Sequence, residues 1–342
     1  MAKPPPKPRP DLVQLLPLEE YDFIIVSFSG GKDSVACVLR LLDEGVEPSK
    51  IELWHQLIDP PEGPPFFDWP VTPAYCKAFG EALGIPVYFQ WREGGFEAEL
   101  LKHNARSQGV SFETPSGEKI HRPSSERSPI ATRRRFPQLA GLETRWCSGK
   151  LKIDVASVAV TNQPRFTEKK TLFITGERRE ESRQRSGYAE KIPYRANAKK
   201  RLAHHWRAVL DWPEQQVWEA FDKYKIVPHP AYYLGWGRLS CIACIFGNKN
   251  QWASVREIAP DMFAKIAGYE AQFKTETGMT IRKGKTVTEM ADAGEEHVSD
   301  KPTNWQAVAM GEHFKPEWVL WPERLGTWAL PEGAYKKDGG PS

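Results

Sequence analysis

The feature that most constrains this chain is a short turn, Ser29-Gly30-Gly31-Lys32-Asp33-Ser34, set between two segments of opposite character. Before it, residues 22–28 (DFIIVSF) form a brief apolar run rich in Ile, Val and Phe, the pattern of a buried strand. After it, Val35, Val38, Leu39 and Leu42 recur at helical spacing, and Gly45 closes the helix. Two glycines let the main chain turn sharply and approach an oxyanion closely. Successive N–H groups then form an anion-binding nest, to which the helix N-terminus adds its partial positive charge. Lys32 supplies a point charge for phosphate, and the Ser29 and Ser34 hydroxyls supply further donors. Asp33 either caps the helix or faces a magnesium ion. The spacing is neither GxxxxGK[ST] nor GxGxxG, so neither a Walker loop nor a dinucleotide fingerprint is expected. A plain glycine-rich connection is the bland alternative; the strand–turn–helix context favours phosphate binding.

The same alternation continues downstream. Strands are expected at 51–58, 87–91 and 172–175, with a helix over 72–83 that stops at Gly84. Strands alternating with helices predict an α/β fold with a doubly wound, mostly parallel sheet and ligands at the carboxyl ends of its strands. Helices are also expected over 212–224, with Pro213 near the start, and over 252–277. Residues 59–73 form a loop with six prolines, and 104–144 a long polar stretch. A loop of that length in a compact domain is either functional or mobile. The expected organisation is a disordered proline-rich tail (1–14) and a nucleotide-binding α/β domain (15–245) with a basic insertion (103–144). A smaller, mainly helical region (246–335) and a disordered tail (336–342) follow. Asp59, ending the second strand, either reaches a ribose or organises its own loop.

Composition narrows the class. Of the 342 residues 40% are hydrophobic, which supports a core and excludes global disorder. No stretch approaches the ~18 apolar residues of a membrane span, and the N-terminus has no apolar signal core, so a cytoplasmic protein without a membrane partner is expected. Five cysteines, an odd number, read as reduced thiols available for metal or catalysis. Cys37 and Cys76 fall inside expected helices and read as core residues. The net charge of +3 hides an asymmetry: residues 103–207 hold 23 Lys and Arg against 10 Asp and Glu. This block includes Arg133–Arg135 and Lys199–Arg201 in unbroken runs, which points to a polyanionic partner. A solvated basic face with ordinary ion pairs is the alternative.

FSGGKDS resembles the PP-loop of the adenine-nucleotide alpha-hydrolase superfamily, the N-type ATP pyrophosphatases. Four further segments resemble the phosphoadenosine phosphosulfate (PAPS) reductase family in order: TRWCSGKLK at 144–152, GERREESRQR at 176–185, LDWPEQQVW at 210–218 and PAYYLGWGRLSCIAC at 230–244. Together they cover about 21–278, and the plan is similar to the sulfur-inserting ATP-pyrophosphatase component of DNA phosphorothioation. The resemblance implies ATP cleavage between the α and β phosphates with Mg²⁺, usually to adenylate an acceptor. It implies that Ser29, Gly30, Gly31, Lys32, Asp33, Ser34, Gly176 and Arg238 bind the nucleotide. It also implies that Lys32, Asp33, Arg178 and Arg185 act on the phosphates. Guanidinium forks suit phosphate or sulfate, although Glu177, Glu180 and Glu181 offer these arginines competing partners.

Cys241 and Cys244 form a CxxC, and the resemblance would bring Cys147 beside them. Three thiolates suit a [4Fe–4S] cluster with one iron free of protein ligation. Zn²⁺ completed by His204 or His205, a redox pair, or unliganded thiols are the alternatives. The chain departs from the reductases in two respects: Lys32 is present in the PP-loop, and no cysteine follows Cys244 to attack a sulfonucleotide. The expectation is therefore an adenylating enzyme that uses ATP and admits sulfur from a donor protein to a nucleic-acid acceptor. A sulfonucleotide reductase and a zinc-stabilised nucleic-acid-binding module remain the other readings.

Overall fold

The structure, a computed structural model, describes residues 6–137, 145–296, 304–323 and 326–336. Eight strands form one sheet: β1 (Phe23–Ser27), β2 (Ile51–Leu57), β3 (Val87–Arg92), β4 (Val110–Glu113), β5 (Lys119–Arg122), β6 (Lys170–Ile174), β7 (Lys191–Pro193) and β8 (Leu202–Trp206). Their order across the sheet is β5-β4-β3-β2-β1-β6-β8-β7. The central strands β3, β2, β1, β6 and β8 run parallel, and an antiparallel ribbon closes each edge. The chain thus winds outward from β1 in one direction and returns to build β6 on the other side. This is the doubly wound α/β plan expected from the alternating pattern.

The strands form where apolar residues can be covered on both faces. In β1, Ile24 and Val26 face one core while Ile25 faces another. The first core is closed by α1 (Lys32–Asp43), α2 (Thr72–Leu83) and the helix Glu214–Tyr224. The second is closed by the helix Asp154–Thr161 and Phe166. α2 ends as its sequence requires: Gly84 sits at φ +67°, and Ile85 N–H reaches the Gly80 carbonyl at 2.8 Å. A third core joins the proline-rich loop (Phe66, Phe67, Trp69) and α3 (Gly95–Leu101) to Trp146, Trp236 and the C-terminal helices. The region after 245 therefore shares its hydrophobic core with residues on both sides of the CxxC.

Three expectations are corrected. The polar stretch 104–144 holds two strands, β4 and β5, whose hairpin extends the sheet edge; residues 138–144 lie outside the described residues. The helix expected over 252–277 is two, Lys249–Ile258 and Pro260–Thr277, because Pro260 begins a new helix at N1. Within the tail expected to be disordered, Arg9 and Leu12 donate backbone hydrogen bonds to Gly187 and Lys191, and Asp11 accepts from the Glu190 and Lys191 amides at 3.0 and 2.9 Å. Strands β7 and β8 and the 146–161 helical segment were not expected at all; residues 1–5 and 337–342 lie outside the described residues. Among the described residues no helix is long and apolar enough to cross a membrane.

Candidate functional site

The point where the winding reverses lies between β1 and β6, and a crevice at the carboxyl ends of such strands is where open α/β sheets bind ligands. The glycine turn leaves β1 there, and the Gly176–Arg185 segment leaves β6 beside it. The two loops touch through their backbones. A Cβ added to Gly176 would sit 2.7 Å from the carbonyl carbon and oxygen of Asp33 and 3.0 Å from Ser34 N, so only glycine fits. Gly30 holds φ +76°, and a Cβ there would press on Tyr75 and Cys76 at 3.1 and 3.2 Å. The serine hydroxyls brace the turn: Ser34 donates to the Gly31 carbonyl at 2.9 Å, and Ser29 Oγ accepts from Gly31 N–H at 3.4 Å.

Lys32 is buried, 3% exposed, and it opens α1. Its ammonium donates to the Gly237 carbonyl at 2.5 Å and lies 3.3 Å from Glu214, with the Tyr232 ring 5.6 Å away. Burial works against the charge. Tyr232, Asp33 and Glu214 outweigh it and hold the group above the ordinary lysine value. The Tyr232 hydroxyl accepts from the amides of Lys32 and Leu239, at 2.9 and 3.1 Å, and so ties the turn to the segment before the CxxC.

Asp33 and Arg178 form the second half of the site. Arg178 Nε donates to Asp33 Oδ1 at 2.5 Å, and its Nη1 pairs with Glu180. Burial opposes the Asp33 carboxylate, but Lys32, Arg178 and Arg238 lower its pKa below the usual range. Arg185 pairs with Glu181, which also accepts the Arg178 amide at 2.7 Å. Of the arginines assigned to an anion, Arg178 and Arg185 thus hold the competing carboxylates. Arg238 is placed near Asp33 and, among the described residues, makes no hydrogen bond or ion pair. Arg145 lies near Arg185 and Arg238, its Nε buried without a partner.

Cys147, Cys241 and Cys244 pack against the same hydrophobic core, and the Cys244 amide donates to the Cys241 carbonyl at 3.1 Å. Burial, with Cys244 adding to it, pushes the Cys147 thiol up to about 11, and Cys241 is pushed up by burial and then by Asp68. The donors are of the kind that binds iron–sulfur or zinc, but among the described residues no group of three His, Cys, Asp or Glu is arranged to hold a metal ion. His204 and His205 are engaged elsewhere, at 2.7 Å from the Tyr21 and Thr175 hydroxyls respectively. A cavity of about 70 Å³ lies between the glycine turn and the CxxC, lined by Ser29, His55, Asp68, Lys152 and Cys241. Burial raises Asp68 to about 6 there.

Other assignments are settled by contacts. Asp59 Oδ2 accepts the amides of Phe66, Phe67 and Asp68 at 2.8–3.0 Å, so it organises its loop. Cys37 and Cys76 are buried core residues. Sequence reasoning missed Glu214, Tyr232, Gly237, Asp68 and Lys152. Of these, Lys152, Glu214, Tyr232 and Gly237 did lie within the family-like segments, but the side of the helix or turn they take is set by tertiary packing.

No known family model matches the chain. It is similar to an uncharacterized 37.8 kDa protein in the gpa 5′ region of Escherichia phage 186, 30% identical over 67 residues. That stretch covers 20% of this chain and 20% of the phage protein.

Proposed function

We propose that this chain binds ATP with Mg²⁺ at the glycine turn and transfers the adenylyl group to an acceptor. The observation that supports the reading is the close backbone approach of Gly176 to Asp33 at the switch point, beside which lie Lys32 and the Arg178–Asp33 pair. The turn would receive the β and γ phosphates at the helix N-terminus. A nucleophilic oxygen of the acceptor attacks the α-phosphorus, its proton passes to solvent, and the bond to the bridging oxygen breaks to release pyrophosphate. Lys32 stabilises the charge that builds on the leaving group, and Arg238 and Arg145 supply cations that hold no carboxylate. Phosphate oxygens would take the place that Glu214 and the Gly237 carbonyl hold at Lys32. Asp33 is the carboxylate at hand for Mg²⁺, which is commonly held by one or two carboxylates plus substrate phosphates.

The adenylated acceptor then carries AMP as a leaving group, and a hydrosulfide released by a sulfur-donor protein displaces it, the acceptor–sulfur bond forming as the acceptor–oxygen bond to AMP breaks. Cys147, Cys241 and Cys244 are soft donors, but among the described residues they are not arranged to hold a metal ion, so no step is assigned to a cluster or zinc. The excess of cations over residues 103–207 favours a nucleic acid as acceptor. Lys32 in the turn, a point charge suited to a triphosphate, weighs against a sulfonucleotide reductase.

Lys32→Ala is expected to lower ATP turnover about 10²–10³-fold, the range for losing one preorganised charge-stabilising donor. Pyrophosphate release is the readout, and circular dichroism checks that the variant is folded. Unchanged turnover would overturn the assignment. Sulfite release from PAPS with a thiol donor would replace it with the reductase reading, and salt-dependent nucleic-acid binding without turnover would replace it with a non-catalytic module.

A further inference from the structure

A second cavity, of about 470 Å³, lies between the edge strands β4 and β5 and the helix Asp154–Thr161. Arg92, Lys102, Arg122, Arg133, Lys150 and Arg195 line it, against one lining carboxylate, Asp154. The carboxylates present are shared. Glu99, buried behind the cleft, takes Lys102 at 2.7 Å and Arg133 at 3.1 Å, and Asp154 takes Lys150 at 2.8 Å and Arg195 at 3.3 Å. Arg92 spends its donors on the carbonyls of Lys150 and Gln108, and Arg122 is exposed on β5. The cleft therefore carries surplus positive charge. Arg133 and Lys150 accordingly add to the burial that depresses Lys102.

Among the described residues, the lining holds serines, Gln108 and Asn162 but no aromatic ring. Such a surface suits phosphates and offers no platform for stacking a base. The wall between this cleft and the nucleotide crevice is the π-helical segment Gly149–Ile153. Leu151 is fully buried in it, Lys150 lines the cleft, and Lys152 lines the small cavity beside Ser29 and Cys241. One short segment thus presents a cation to each side, and π-type turns within helices are frequent at functional sites.

We propose that this cleft holds the sugar–phosphate backbone of the nucleic-acid acceptor, one wall away from the glycine turn. The inference rests on the nucleic-acid reading of the acceptor given above. Binding there is independent of base sequence and weakens with salt, because each neutralised phosphate releases counterions.

The test is fluorescence anisotropy of a labelled mixed-sequence single-stranded oligodeoxynucleotide over a salt series. It compares the full-length wild type with the double variant Arg122→Glu, Arg195→Glu, and ATP affinity is measured in parallel. Both residues are exposed and outside the nucleotide crevice, so ATP affinity and circular dichroism should be unchanged. The expected result is at least a tenfold loss of affinity and a slope of log K against log salt shallower by about 1.4, from ~0.7 per lost phosphate contact. Wild-type affinity and slope in the variant would overturn the cleft while leaving the nucleic-acid reading standing. No oligonucleotide binding by the wild type would overturn both, and equal competition by inorganic pyrophosphate would reassign the cleft to a small anion.

Discussion

At the carboxyl edge of the sheet, Lys32 faces Glu214, Arg178 lies between Asp33 and Glu180, and Arg185 is held by Glu181. In the cleft under the β4–β5 hairpin, Glu99 serves two cations and Asp154 another two. The two cationic regions solve the same physical problem in different ways. Arg178 and Lys32 are each about 3% exposed, and charges that deep need partners. Any anion drawn to these cations has to compete with those partners. The cleft is more open to solvent at Arg122 and Arg195, where surplus charge costs little and draws anions by its field.

The sharpest way to break this comparison is Arg178→Ala. It leaves the Asp33 carboxylate without its guanidinium, and about 3–5 kcal/mol of stability should be lost. Urea denaturation measures it, and a loss below ~1 kcal/mol would mean that the pair is not holding the crevice together. Gly176→Ala comes next, at about 1–3 kcal/mol, because the new methyl meets backbone atoms of Asp33 that cannot swing aside. ATP affinity should fall with it, and an unperturbed variant would contradict the backbone contact between the two loops.

A smaller effect separates buried neutral groups from the paired charges. Burial depresses His55 and His205 to about 4 and His229 to about 3. Their folded values lie below the unfolded value of about 6.5, so the stability they contribute is present above pH 6.5 and is lost as pH falls toward 4. Each adds at most about 1.4 kcal/mol per pH unit to the slope over that window. His229→Gln should flatten the measured slope by about one such increment, and an unchanged slope would contradict the burial of that imidazole. At the small end, the Arg122 and Arg195 variants should shift stability by no more than about 0.5 kcal/mol, since both side chains are exposed.

The parallel half of the sheet was legible because its signals are local. The apolar run Ile24–Ile25–Val26 marks a strand buried on both faces, and Gly30 in the turn and Gly84 at the helix stop hold positive φ values that few other residues allow. The antiparallel edges and one parallel strand, β8, were not legible. Strand β5 (KIHR) is mostly exposed and polar, and β8 carries two histidines that bond to Tyr21 and Thr175, far away in sequence. The same holds at the site. The turn announced Lys32 and Asp33, but Glu214 meets Lys32 through the packing of the helix Glu214–Tyr224 on α1, and the Gly237 carbonyl through a segment that Tyr232 ties to the turn. The competing acidic partners of Arg178 and Arg185 were visible in GERREES, and they are the ones used.

The most direct test of the central claim is calorimetric titration of anaerobically purified protein with ATP, adenylyl sulfate and PAPS, each with Mg²⁺, alongside Lys32→Ala. The account predicts that ATP binds the wild type more tightly than either sulfonucleotide and that Lys32→Ala loses this preference. Preference for a sulfonucleotide, or ATP binding that does not change when Lys32 is removed, would contradict it.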